Sequence, residues 1–125
     1  MGAQLNHTIV WCRDKEKSSA FLARMLGRPA PVDFYHFKVI ALDNNVSIDF
    51  MEKEGAVSPQ HYAFLIDDAR FDQAFALIRD EGIPHWADPA RTRPNEINTN
   101  DGGRGVYFED PDGHMMEVIT RPYGG

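Results

Sequence analysis

The chain has 125 residues, 42% hydrophobic and 26% charged, a size and balance that predict one globular domain with a real core. Nineteen acidic against 13 basic residues leave a formal net charge of −6, which argues against a general nucleic-acid or anionic-membrane surface, because phosphate binding wants clustered Lys and Arg. No apolar run approaches transmembrane length, no signal-peptide layout opens the chain, and Cys12 has no internal disulfide partner, so a reduced, cytoplasmic setting is expected.

In chain order, residues 5–12 predict a strand with His7 on the face of Leu5, Ile9 and Trp11, and Cys12 as a small core residue. Asp14 offers an N-cap for a short helix whose apolar stripe is Phe21, Leu22, Met25 and Leu26. Gly27 is placed to stop it, with Pro29 just beyond. Residues 34–42 predict a second strand, 43–45 a turn and 46–51 a third strand. In that third strand Val46, Ile48 and Phe50 share one face, and Ser47, Asp49 and Met51 the other. Residues 52–59 form a charged connector containing Gly and Pro, the expected boundary between two halves.

The pattern then repeats. His61 opens a strand over 61–66, and Asp67 or Asp68 caps a helix with the stripe Phe71, Ala74, Phe75 and Ile78. Gly82 ends it, with Pro84 following. His7 and His61 stand 54 residues apart, as do Asp14 and Asp68, and Phe21 and Phe75; Asp49 and Glu117, late in each half, are 68 apart. The extra length falls in residues 86–104, a loop of Pro, Asn, Gly and Arg with the composition of a functional lid or a disordered segment. Within it Arg104 borders the final hairpin and is the residue expected to reach a bound small molecule. That hairpin turns at Asp110-Pro111-Asp112-Gly113, and Glu117 on its outgoing strand shares a face with Met115 and Ile119. The duplication predicts a single α+β domain over 1–125, with one module at about 3–54 and the other at about 58–122.

Each module thus contributes one imidazole from its first strand and one carboxylate from its last: His7 and Asp49, His61 and Glu117. Their neighbours on the opposite strand faces are mostly large and apolar, which leaves the four polar groups on a shared concave face. A set of two imidazoles with one or two carboxylates suits a divalent Zn, Fe, Mn, Co or Ni ion better than Cu+ or Ca2+. A lone histidine in an apolar strand is more often a hydrogen-bonded core residue; four such groups at repeat-equivalent positions favour a metal. His36 is expected on a strand surface, His85 in a loop, and His114 at the hairpin turn beside the cavity rather than as a ligand. Asp49 is short for a ligand, and a three-ligand site would do without it.

The stretch 106–117, with His7 and His61, resembles the vicinal oxygen chelate superfamily, which includes glyoxalase I, extradiol dioxygenases, fosfomycin-resistance thiol transferases and bleomycin-resistance proteins. The resemblance covers essentially the whole chain. It implies two paired βαβββ modules forming a curved mixed sheet around a cavity, a homodimer, and one divalent metal ion held by His7, His61 and Glu117. Asp49 would be a fourth ligand or a base. It further implies Lewis-acid catalysis on a small molecule with vicinal oxygens, in a lyase or dioxygenase, with fosfomycin-type thiol transfer also open. Tyr107 and Arg104 would hydrogen-bond substrate oxygens, and Trp11 and Met115 would line the cavity. The alternative is a metal-independent small-molecule binding or sequestering protein of the bleomycin-resistance type.

Overall fold

A computed structural model describes residues 2–123 and divides the chain into two compact units, one running to Ser58 and the other from Pro59. The first unit contains β1 (His7–Cys12), α1 (Lys15–Leu26), β2 (Val32–Phe34), β3 (Phe37–Ala41) and β4 (Ser47–Glu52). Its sheet has the order β1-β4-β3-β2, with β1 parallel to β4 and the other neighbours antiparallel. Helix α1 begins where the Asp14 side chain accepts from the amides of Glu16 and Lys17. It stops at Gly27, whose φ of 64° turns the chain left-handed so that the Arg28 amide reaches back to the Ala23 carbonyl at 2.9 Å. Val10, Cys12, Ile40, Ile48 and Phe50 from the sheet and Leu22, Met25 and Leu26 from the helix are buried together as this unit's core.

Residues 34–42 are not one strand. Tyr35, with a φ of 54°, and His36 reverse the chain, so that Phe34 faces Phe37 and Asp33 faces Lys38 across a tight hairpin. Lys38 closes it by pairing with Asp33 at 2.9 Å and with Glu16 at 3.1 Å. A tyrosine at positive φ carries no sequence signal of a turn, because that conformation ordinarily falls to Gly, Asn or Asp.

The second unit repeats the order with β5 (His61–Leu65), α2 (Asp68–Asp80), β6 (His85–Trp86), β7 (Gly105–Glu109) and β8 (Met115–Ile119), plus a 3-10 turn at Asn100–Gly102. Its sheet order is β5-β8-β7-β6, again mixed. Each unit is therefore a βαβββ module, and the chain is α+β. Phe64, Phe71, Ala74, Ile78, Val106, Phe108, Met116 and Val118 form the second core. Asp67, not Asp68, caps α2, accepting from the Arg70 amide at 2.7 Å, so the two helix caps are not at the 54-residue offset that relates the histidines. The strands keep their equivalence: His7 lies opposite Ser47 as His61 lies opposite Met115, and Ile9 opposite Asp49 as Ala63 opposite Glu117.

Residues 86–104 are built structure, not a free lid. Asp88 accepts from the Thr92 and Arg93 amides at 3.0 and 2.9 Å, and from the Thr92 hydroxyl at 2.5 Å. Isolated bridges join Trp86 to Pro94 and Asn98 to Gly105. Asn98 is buried and donates to the Ala87 carbonyl at 2.8 Å, and a Cβ at Gly105 would come within 2.9 Å of its Oδ1. Among the described residues no helix is long and apolar enough to cross a membrane.

Candidate metal centre

In the second unit the parallel pairing of β5 with β8 sets His61 diagonally across from Glu117 on one face. His61 Nε2 lies 2.9 Å from Glu117 Oε1, and the glutamate side chain is 13% exposed. Antiparallel pairing of β7 with β8 puts Tyr107 directly opposite Glu117. The Tyr107 ring meets His61 edge-on at 5.8 Å, and its hydroxyl donates to the glutamate. Burial first, and then the Glu117 charge and hydrogen bond, push the Tyr107 phenol up to about 12. Glu117 is thus a half-buried carboxylate held between an imidazole and a neutral phenol.

Two donors bound side by side to a first-row divalent ion, with bonds of about 2.1 Å, are separated by about 3 Å when the angle between them is near a right angle. The 2.9 Å between His61 Nε2 and Glu117 Oε1 matches that bite, and the nitrogen–oxygen donor set suits the ions named above. These two residues fit a divalent metal.

The first unit prepares its histidine differently. His7 Nδ1 lies 2.7 Å from Asn6 Oδ1, a bond that puts the ring proton on Nδ1 and leaves Nε2 with its lone pair as the acceptor nitrogen. Asp49 is 8% exposed and accepts from the Ser47 hydroxyl at 2.9 Å, not from His7. The aspartate is one methylene shorter than its counterpart Glu117. His7, Asn6, Ser47 and Asp49 form the polar end of an open cleft of about 440 Å³, whose walls are Val32, Phe34, Phe37 and Val39 with Asp33 at the side. Asn6 carried no signal beyond standing next to His7, and Ser47 none beyond sharing the face of Asp49. Within either unit, no group of three or more His, Cys, Asp or Glu side chains is placed to hold a metal ion among the described residues.

Arg104 is placed elsewhere. Its guanidinium donates to Asp72 at 2.7 Å and Asp68 at 3.2 Å, and lies 4.5 Å over the Phe71 ring. Strand alternation puts it on the side of Val106 and Phe108, opposite Tyr107 and Glu117, so it braces helix α2. Arg104→Ala is expected to cost on the order of 1 kcal/mol, since both ion pairs are partly solvated and the ring contact adds a similar small amount. Thermal unfolding would register that loss, while metal affinity would stay unchanged. His114 also departs from expectation: it is buried on the core side against Tyr62 rather than beside a cavity. His85 is a buried residue of β6, bonded through Nδ1 to the Ile83 carbonyl, and His36 sits exposed in the β2–β3 turn.

The raised phenols carry a pH signature. Of the four tyrosines, Tyr62 is raised by burial and Tyr107 reaches about 12. The folded state favours the neutral Tyr107, whereas the unfolded chain ionises near the ordinary value of about 10. Its stabilising contribution is therefore complete below about pH 10 and is lost as pH rises toward 12. In an ultraviolet phenolate titration, Tyr107→Phe is expected to remove the last-titrating phenol.

Two βαβββ modules, each offering a histidine from its first strand and a carboxylate from its last, define the scaffold of the glyoxalase type. The family model described as Glyoxalase/Bleomycin resistance protein/Dioxygenase superfamily matches residues 4–118, and the chain belongs to that superfamily. The solved structure of Oxidase ChaP-H1 is similar over 99% of this chain and 100% of its own, with 58% identity and a TM-score of 0.96. Oxidase ChaP-H2 follows at 51% identity, covering 100% of this chain and 98% of its own, also with a TM-score of 0.96. Among curated proteins, Metallothiol transferase FosB of Shouchella clausii (strain KSM-K16) is 34% identical over 76 residues, 61% of this chain and 48% of that protein. The chain thus spans about half the length of that relative.

Proposed function

We propose that this chain is a divalent-metal-dependent oxidase, of the dioxygenase-like kind, acting on a small molecule that carries two adjacent oxygens. The observation that carries the reading is the 2.9 Å pairing of His61 with Glu117, the bite of two neighbouring ligands. His7, His61 and Glu117 would hold the ion, which when bound supplies Lewis-acid stabilisation of negative charge on a chelated substrate. Tyr107, kept neutral, donates to Glu117 and fixes the orientation of its carboxylate. Asp49, held in one rotamer by Ser47, is the base available to a substrate seated in the cleft of the first unit.

Two features favour an oxidase over thiol transfer. The likeness to the ChaP oxidases carries 58% and 51% identity over essentially the whole chain, whereas a thiol transferase matched over 93% of this chain is 26% identical. The cleft is walled by Val and Phe and carries two aspartates with no Lys or Arg, which suits a neutral apolar body and repels a phosphonate. Oxygen uptake with hydroxylated aromatic substrates in the presence of Fe2+ or Mn2+, and its loss with chelator, is the expected result. Formation of a fosfomycin–thiol adduct without oxygen uptake would overturn the oxidase assignment, and ligand binding indifferent to chelator would favour a sequestering protein.

We further propose that the chain works as a cytoplasmic homodimer in which the third ligand comes from the partner copy. Mixing His7→Ala with Glu117→Ala protein should then restore activity to about a quarter of wild type, because half the dimers would be mixed and each would hold one intact site. Two inactive variants that stay inactive when mixed would instead place all three ligands on one chain.

A further inference from the structure

We propose that His114 is a positioning residue that sets the strand register bringing His61 and Glu117 together, an inference that rests on reading those two as metal ligands. Strands β5 and β8 are parallel and far apart in sequence, so no tight turn fixes how they align. A slip of one residue would carry Glu117 to the core face and lose the pair.

Two bonds hold the first rung. The Met115 amide donates to the Gln60 carbonyl at 2.8 Å, and the Gln60 amide donates to His114 Nδ1 at 2.9 Å. The residue before His61 is therefore gripped from both its main-chain groups, by Met115 at the start of β8 and by the His114 side chain just before it. His114 is itself fixed: its amide donates to Asp110 Oδ1 at 2.9 Å, its carbonyl accepts from the Asp110 amide at 3.0 Å, and Tyr62 meets its ring edge-on at 5.8 Å. It is 1% exposed, so the ring cannot swing away.

The first unit supplies an internal control. There the Ser47 amide donates to the Asn6 carbonyl at 3.0 Å, the counterpart of the Met115–Gln60 bond. The residue equivalent to His114 is Val46, whose side chain has no acceptor. The side-chain pin thus occurs in the unit whose histidine and carboxylate are bonded, and is missing from the unit whose histidine and carboxylate are not.

Co2+ binding, followed by chelator competition and by the visible absorption of the bound ion, tests the idea without relying on turnover. His114→Leu removes the acceptor, His114→Asn returns one at nearly the same place, and Gln60→Pro removes the donor while leaving His114 intact. His114→Leu and Gln60→Pro are expected to weaken Co2+ binding about 10- to 100-fold and to alter its spectrum, with His114→Asn within about threefold of wild type. Should His114→Leu fail to fold, Gln60→Pro reports the same bond from the other strand. Folded His114→Leu or Gln60→Pro protein with wild-type affinity and spectrum would overturn the positioning role. Wild-type protein that binds no Co2+ would overturn the ligand reading itself, and this inference with it.

Discussion

Glu117→Ala is expected to weaken divalent-metal binding on the order of 100-fold or more and to remove chelator-sensitive activity. The glutamate is the anionic member of the proposed set of two imidazoles and one carboxylate. Its loss leaves only neutral imidazoles, which offset neither of the two positive charges and are a far poorer match for a hard divalent ion. The same substitution frees Tyr107 from both the charge and the hydrogen bond that raise it, so its phenol should move down from about 12, part of the way toward its ordinary value, since burial remains. Glu117→Gln separates the two effects: it keeps the shape and an acceptor for Tyr107 but removes the charge, and should lose metal while shifting the phenol less. Equimolar metal bound to Glu117→Ala with wild-type affinity would contradict the assignment.

Phe71→Ala carries the largest expected loss of stability, about 3–5 kcal/mol. Phe71 is fully buried on α2, stacks on Phe75 with centroids 6.1 Å apart, and is covered on a face by the Arg104 guanidinium. Truncation removes the transfer energy of the ring and leaves a cavity between helix and sheet that neighbouring side chains fill only in part. Denaturant unfolding should show the full loss, several times that of Arg104→Ala. Metal affinity measured well below the melting temperature should stay near wild type, because His61 and Glu117 lie on the other face of the sheet from Phe71. A loss below about 1 kcal/mol would mean that the second unit does not depend on this core.

Much of this architecture was legible in the chain because both modules are written with the same periodicities. The stripe Phe71, Ala74, Ile78 is the buried face of α2, and Leu22, Met25 and Leu26 that of α1. Asp14 and Gly27 bound their helix as their chemistry requires. Between Asp67 and Asp68 the sequence could not choose, since adjacent carboxylates cap equally well and only the backbone decides. The β2–β3 hairpin was hidden because Tyr35 adopts a conformation its side chain does not advertise. In sequence the 86–104 segment shows only the composition of a lid or a disordered segment, because its order rests on the Asp88 turn and the Asn98 bridge, neither of which has a periodic signature.

At the candidate site, the repeat showed which four residues are equivalent but not how each is bonded. Glu117 reaches its histidine and Asp49, one methylene shorter, settles on Ser47. Arg104 and His114 were drawn toward the cavity by their nearness in sequence to the hairpin. Strand alternation assigns both to the core side, with Val106 and Phe108 in one case and Met116 and Val118 in the other, and the structure follows that alternation.

The most direct test of the account is to count imidazole nitrogens on a bound paramagnetic ion, by pulsed electron paramagnetic resonance on Cu2+- or Mn2+-loaded protein. Two are expected in the wild type, one in His7→Ala and one in His61→Ala, with His114→Asn unchanged at two. A single imidazole in the wild type, or a count unaffected by His7→Ala, would show that the two modules do not share an ion.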